Sequence, residues 1–162
     1  MTILFRESSD IDFLMLEIKL FASEHISEIA KIERFCFSEP WSENAFSILL
    51  GDNAFGVVAL LDGAVVAYGG MLCVLDEGQI TNIATHPDHR RKGLGRAIVN
   101  ALEEEAERRG LSILFLEVRE HNSVARELYA SCGWKEIGIR KNFYSKPVDN
   151  AVLMKKEILK GS

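Results

Sequence analysis

The sequence predicts an α/β chain: a mixed central sheet of about six to seven strands with helices on both faces. Three observations carry that reading. Seven runs have strand length and strand composition, four before residue 86 and three after residue 110. Helical periodicities fall between them. Asp62-Gly63 joins two of the runs directly, which makes part of the sheet an antiparallel meander.

The elements follow in order. "LMLEIKLFA" (14–22) alternates as a first strand, with Leu16, Ile18 and Leu20 on one face. Ser23 is a fitting cap for a helix running to about Phe35, with Ile26, Ile29, Ala30 and Ile32 on one side. Pro40 breaks the chain, Ser42 caps a second short helix and Gly51 ends it. "FGVVALL" and "AVVAYGGMLCVL" are the hairpin strands around Asp62-Gly63. Gly69-Gly70 weakens the second of them and marks a bend or bulge. "DEG" (76–78) is the next turn, and "QITNIAT" the fourth strand. A helix from about Leu94 to Arg109 buries Leu94, Ile98, Ala101 and Leu102 and stops at Gly110. "SILFLEV" is almost continuously apolar, as a strand covered on both faces is. Asn122 or Ser123 caps "VARELYASC", which Gly133 ends. "WKEIGI" and "NAVLMKKEI" close the sheet.

Composition narrows the function classes. The chain has 162 residues, 48% of them hydrophobic and 27% charged, which suits one domain over 1–162 with its core at about 14–159. No apolar run approaches the ~20 residues of a membrane span, and "MTILFRESSD" meets charge too early for a secretory leader. Cys36, Cys73 and Cys132 are scattered and form no C-x-x-C pair, so a cytoplasmic setting and no zinc site are expected. The four histidines show no ligand spacing, and capping or solvated roles are their default. A net charge of -5 argues against nucleic acid as a direct partner and suits a basic protein or peptide, though weakly. The closing Gly161-Ser162 carries no part of the argument.

One stretch departs from the acidic background. "HPDHRRKGLGRAIV" clusters Arg90, Arg91, Lys92 and Arg96 around Gly93 and Gly95 at a helix start. The first N–H groups of a helix lack internal partners and its dipole is positive there, so this is an anion site in outline. The P-loop pattern is absent, and Ile98 stands where the dinucleotide fingerprint needs its third glycine. What remains is [RQ]-x-x-G-x-[GA], matched by 90–95. A solvated basic turn before a surface helix stays open on these residues alone.

Several further segments share this loop's resemblance. "NIATHPDHR" before it and "LEVREHNSVARELYASCGW" after it resemble the GNAT acetyltransferase superfamily over about residues 14–159. "SEPWS" and "IGIRKNFY" are similar to its branch that acetylates the N-terminal alanine of a small-subunit ribosomal protein. The resemblance implies an acetyl-CoA co-substrate whose pyrophosphate is held by Arg90, Arg91, Lys92, Gly93, Leu94, Gly95 and Arg96. It implies that Ile83, Ala84 and Thr85 hold the pantetheine arm through strand-like backbone bonds. That requires a splay between the fourth and fifth strands, because a closed sheet would consume those groups.

The same resemblance assigns the chemistry. Glu117 shares a strand face with Ile113 and Phe115, and position alone leaves two readings: a desolvated base, or a wet-end carboxylate paired with Arg119. The resemblance makes it the general base. Tyr129, two helical turns from Asn122, is by position a core tyrosine and by resemblance the acid that protonates the leaving thiolate. Asn122 is a plain N-cap or a cofactor contact, and both roles can coexist. Trp41 is equally a core anchor or a substrate wall. Tyr144 is the better candidate for the peptide contact, since Phe143 lacks a hydroxyl where that family often has a second tyrosine. An α-amine near pKa 8 is roughly a quarter free base near neutral pH, whereas lysine near 10.4 is about one part in a thousand. The expected reaction is therefore direct acetyl transfer to a protein N-terminus. Transfer to lysine or a small amine, and a non-catalytic CoA-binding module, are the alternatives.

Overall fold

The computed structural model describes residues 2–6 and 13–158, so Gly161-Ser162 lies outside the described residues. Strands β1 (Thr2–Arg6) and β2 (Phe13–Leu20) are followed by helices α1 (Ile26–Cys36) and α2 (Glu43–Phe46). Then come β3 (Ala54–Leu61), β4 (Ala64–Val74) and β5 (Glu77–Thr85), helix α3 (Leu94–Arg108), β6 (Ile113–Arg119), helix α4 (Ser123–Ser131), β7 (Lys135–Ser145) and β8 (Val148–Glu157). The sheet order is β1-β2-β3-β4-β5-β6-β8-β7. Among the described strands only β5 and β6 pair in parallel. The mixed sheet is as expected, with one strand more: β1 extends the edge beyond β2.

Each face of the sheet carries its own core. On one side Ile98 and Leu102 of α3 pack with Leu114, Leu116 and Val118 of β6 and with Trp134. On the other, Ile29 and Ile32 of α1 and Phe46 of α2 cover Val58 and Tyr68. Gly69 makes the first of these possible. A Cβ there would lie 2.7 Å from Ile98 Cγ2 and 2.8 Å from Leu102 Cδ1, so α3 rests directly on the backbone of β4.

Local chemistry explains most boundaries and corrects some. Asp62 (φ 48) and Gly63 (φ 83) form the expected two-residue turn. The following turn is Leu75-Asp76, starting one residue and ending two residues before the expected 76–78, with Leu75 at φ 55. Gly78 belongs to β5 instead, because a Cβ at that position would meet Met71 Sδ at 2.6 Å and Leu114 Cδ2 at 2.7 Å. Ser23 opens a single 3-10 turn (Ser23–His25) and is not the cap of α1; the buried His25 accepts the Ala22 N–H through Nδ1. Ser42 and Asn122 cap α2 and α4 as expected, accepting from the Ala45 and Ala125 N–H groups. Leu20, on the Leu16–Ile18 face, lies at the strand end and is exposed. β7 runs on through "RKNFYS", which brings Tyr144 into the sheet.

Candidate active site

The site begins with a bulge. Gly70 pairs with Asn82 and Met71 with Ile80, so Thr81 is an extra residue in β5. A bulge bends its strand. β5 and β6 accordingly pair only at Glu77↔Ile113, Gly78↔Leu114 and Gln79↔Phe115 and then part. A cavity of about 530 Å³ opens between Ile80–Ile83 on one wall and Leu116–Arg119 on the other. His86 donates its N–H to Val66 of β4. Alternation along the strand therefore turns the N–H groups of Ile83 and Thr85 toward the opening, and that of Ala84 toward β4.

Glu117 stands on the cavity wall opposite the buried row Leu114, Leu116 and Val118. Its side chain is 24% exposed, and Oε1 lies 3.2 Å from Arg140 Nη1. Arg119 is not its partner. That guanidinium donates to the Pro147 carbonyl at 2.8 Å and the Lys146 carbonyl at 3.2 Å, and lies 4.3 Å over the Tyr144 ring.

Tyr129, Asn122, Trp41 and Tyr144 line the same cavity, although they come from α4, its cap, the segment after α1 and β7. Tyr129 is buried, and that burial, helped by Tyr144 and Cys132, pushes its pKa up to about 12. Burial also raises Tyr144, with Glu117 adding to the effect. Both phenols therefore keep their protons at neutral pH. The Trp41 ring packs 5.4 Å from Phe46, and the residue also borders the cavity.

The basic loop sits apart from this cavity. Gly93 adopts φ 76, with open space where a Cβ would stand, and the first helical bond of α3 runs from Ala97 N–H to the Gly93 carbonyl. The amides of Leu94, Gly95 and Arg96 thus face out of the helix start. Gly95 serves packing as well, since a Cβ would come within 3.0 Å of Leu128. Two of the four cations, both exposed, reach neighbouring side chains. Arg90 Nη2 lies 3.6 Å from Cys36 Sγ, and Arg96 donates to Ser131 Oγ at 2.7 Å. Arg91 (φ 65) is in the turn, and Leu94 is buried.

Sequence reasoning missed Glu33. It is 1% exposed, yet it borders the cavity. Oε1 accepts from Tyr68 Oη (2.6 Å) and Asn82 Nδ2 (3.1 Å); Oε2 accepts from Trp41 N–H (2.7 Å) and Asn82 Nδ2 (3.0 Å). One carboxylate thereby ties the Trp41 segment to the bulged strand. The signal was present, because Glu33 continues the apolar stripe of Ile26, Ile29 and Ala30 at helical spacing.

The mouth is bridged by two further contacts. Ser38 Oγ donates to the Lys146 carbonyl, and Ser145 Oγ donates to Glu39 Oε1 at 3.2 Å. Nearby, His121 Nδ1 lies 2.8 Å from Asp149 Oδ1, whose carboxylate also accepts the His121 and Asn150 N–H groups. The hydrogen bond to Asp149 raises the His121 pKa above its ordinary 6.5. Hydrogen bonds to His121 and backbone amides outweigh desolvation and lower Asp149. The raised histidine contributes stability that is full below pH about 6.5 and is lost as pH rises through the folded value; the lowered aspartate contributes above about 3.9 and is lost on acidification. The pair is strongest between those limits. An NMR titration is expected to show His121 with a midpoint above 6.5, returning close to 6.5 in Asp149→Asn. His86 caps its turn through the Asp88 N–H. Among the described residues no group of three or more His, Cys, Asp or Glu gathers to hold a metal, and no helix is long and apolar enough to cross a membrane.

Known proteins resemble this chain in both sequence and fold. The pattern described as the Acetyltransferase (GNAT) family matches residues 26–134. The [ribosomal protein bS18]-alanine N-acetyltransferase of Escherichia coli K12 is 41% identical over 113 residues, covering 70% of this chain and 76% of that protein. Its Salmonella typhimurium counterpart is 34% identical over 142 residues, covering 86% and 96%. Among solved structures, the ribosomal-protein-S18-alanine N-acetyltransferase from Escherichia coli superposes with a TM-score of 0.85 at 34% identity, covering 91% of this chain and 97% of that one. Ard1 from Thermoplasma volcanium gives 0.81 at 23% identity, a likeness of fold alone.

Proposed function

Because this chain belongs to the GNAT acetyltransferase family, we propose that it moves the acetyl group of acetyl-CoA to the α-amino group of a protein N-terminus, the N-terminal alanine of a small-subunit ribosomal protein. The carrying observation is the parted pair β5 and β6, with Glu117 and Tyr129 on one cavity between them. The bS18-alanine N-acetyltransferases that the chain is similar to suggest the acceptor. The whole chain acts as one catalytic domain, and its three free cysteines suit the cytoplasm.

The residues present fit the co-substrate. The outward N–H groups of Ile83 and Thr85 suit an arm laid along β5 like an added strand, and Ala84 contributes its place in that strand. The amides from Arg91 to Arg96 and the open space at Gly93 suit a diphosphate, with Arg90, Arg91, Lys92 and Arg96 supplying positive charge around it. Asn122 caps α4 and borders the cavity. Acetyl-CoA supplies the thioester carbonyl that the amine attacks.

Each remaining step falls to a residue of the chain. Glu117 accepts the amine's proton, directly or through a water. An outward amide among residues 83–85 steadies the negative charge that develops on the carbonyl oxygen. Burial pushes the Tyr129 pKa up to about 12, so the phenol is neutral at working pH and its O–H can hydrogen-bond the departing sulfur, the proton passing to it as negative charge develops there. Trp41 and Tyr144 flank the acceptor. The bridges from Ser38 and Glu39 to the turn after β7 narrow the mouth, which favours a chain end over a side chain in mid-sequence.

Peptides beginning with alanine, with free or blocked N-termini and with or without an internal lysine, test this reading by mass spectrometry. Acetylation is expected at the free N-terminus and absent from blocked peptides. Modification of internal lysines alone would replace the acceptor, and binding of acetyl-CoA without any transfer would leave a CoA-binding module.

A further inference from the structure

Glu117 does not meet the cavity as a bare charge. Arg140 Nη1 lies 3.2 Å from its Oε1. The guanidinium arrives from two strands away: Arg140 on β7 pairs with Ala151 on β8, which pairs in turn with Arg119 on β6. Immediately after Arg140, β7 leaves register. Asn142 turns at φ 53 and donates its N–H to Asn150, and Tyr144 resumes the pairing opposite Asp149. The strand that carries Tyr144 to the cavity thus also holds Arg140 against the carboxylate. The Arg140 side chain is 59% exposed, so this ion pair is one that a competitor can displace.

We propose that Arg140 is a specificity-determining residue: it occupies the place an acceptor's ammonium would take on Glu117, and so disfavours acceptors that stay cationic. The proposal rests on the reading of Glu117 as the base. A bare carboxylate attracts any ammonium, including a lysine's, in the protonated form that cannot attack a thioester. With Arg140 in place that attraction is largely spent on the guanidinium. The advantage passes to an amine that sheds its proton at little cost, near pKa 8 for a chain end against about 10.4 for lysine.

Other charged or titratable groups on the cavity are engaged differently. Glu33 accepts from Trp41, Tyr68 and Asn82, and Glu39 accepts from Ser145. Arg119 is held by the Lys146 and Pro147 carbonyls. Tyr129 and Tyr144 are both buried enough to stay protonated. Arg140 is the group that meets the carboxylate itself.

Steady-state kinetics of Arg140→Gln and Arg140→Lys test the idea, at pH 7 and pH 9.5, with an alanine-terminated peptide and an N-blocked lysine peptide. Arg140→Gln is expected to lower KM for the free N-terminus about two- to fivefold at pH 7, the scale of one exposed ion pair. The gain is expected to vanish by pH 9.5, where an α-amine is mostly uncharged. For the lysine peptide, which stays cationic, KM falls at both pH values. Arg140→Lys stays close to the parent. An unchanged or raised KM in Arg140→Gln, or a lowered KM that persists for the free N-terminus at pH 9.5, would overturn the proposal. Glu117→Gln run in parallel separates the two readings. If it remains active, the base assignment fails and takes this proposal with it. If it is inactive while Arg140→Gln keeps the parent KM, only the role of Arg140 fails.

Discussion

Glu117→Gln is expected to lower kcat about 10²- to 10⁴-fold while acetyl-CoA binding stays close to the parent value. The range is that of a general base removed from its reaction. Glutamine preserves the shape of the side chain but has no lone pair basic enough to take the amine's proton. The substitution leaves the outward amides of β5 and the loop at Gly93 untouched, because both belong to segments that Glu117 does not hold. It loses the ion pair to Arg140, which is exposed enough that its effect on stability is within about 1 kcal/mol. Single-turnover acetylation and calorimetric titration with acetyl-CoA check the two halves separately. Retained turnover would remove Glu117 from the mechanism, and lost binding would mark it as structural.

Glu33→Ala is expected to cost about 3–5 kcal/mol of stability, read as a lower urea midpoint. Its carboxylate is 1% exposed and accepts the Trp41 N–H, the Tyr68 hydroxyl and the Asn82 amide. Truncation strands all three donors where water reaches them poorly, and an unsatisfied buried donor costs about 1–3 kcal/mol. The loss also has a functional side. Trp41 borders the cavity and Asn82 adjoins Ile83 on the bulged strand, so KM for the peptide is expected to rise severalfold in whatever fraction remains folded. Glu33→Gln keeps one acceptor oxygen and is expected to lose less on both counts. A Glu33→Ala protein with the parent urea midpoint would mean that the network carries no stability.

Particular residues show how far reading the chain could go. The alternation in "SILFLEV" placed Glu117 on the face away from Leu114 and Leu116, and the structure has it there. Asp62-Gly63, Ser42, Gly110 and Gly133 marked turns and helix ends because their chemistry is local: a cap or a left-handed residue acts within four positions. The Leu75-Asp76 turn was misplaced for the opposite reason. Gly78 looked like turn chemistry, but it is glycine because Met71 and Leu114, 7 and 36 residues away, leave no room for a Cβ. Ser23 was a plausible cap, but it opens a 3-10 turn instead, and α1 starts after the buried His25, whose side chain accepts the Ala22 N–H and caps no α1 amide. Arg140 had no readable signal, since its meeting with Glu117 depends on two strand registers and an irregularity in β7.

The sequence by itself determined the sheet-and-helix order, the glycine turn at the mouth of α3 and the residue types able to move a proton, because each is written in periodicities and contacts a few residues long. Only the tertiary structure decided that Thr81 bulges and opens β5 from β6, that Glu33 ties the Trp41 segment to the bulged strand, and that Arg140 meets Glu117. Those are pairings between segments tens of residues apart, selected by how two cores pack on opposite faces of one sheet, and no local pattern encodes the register in which distant strands meet.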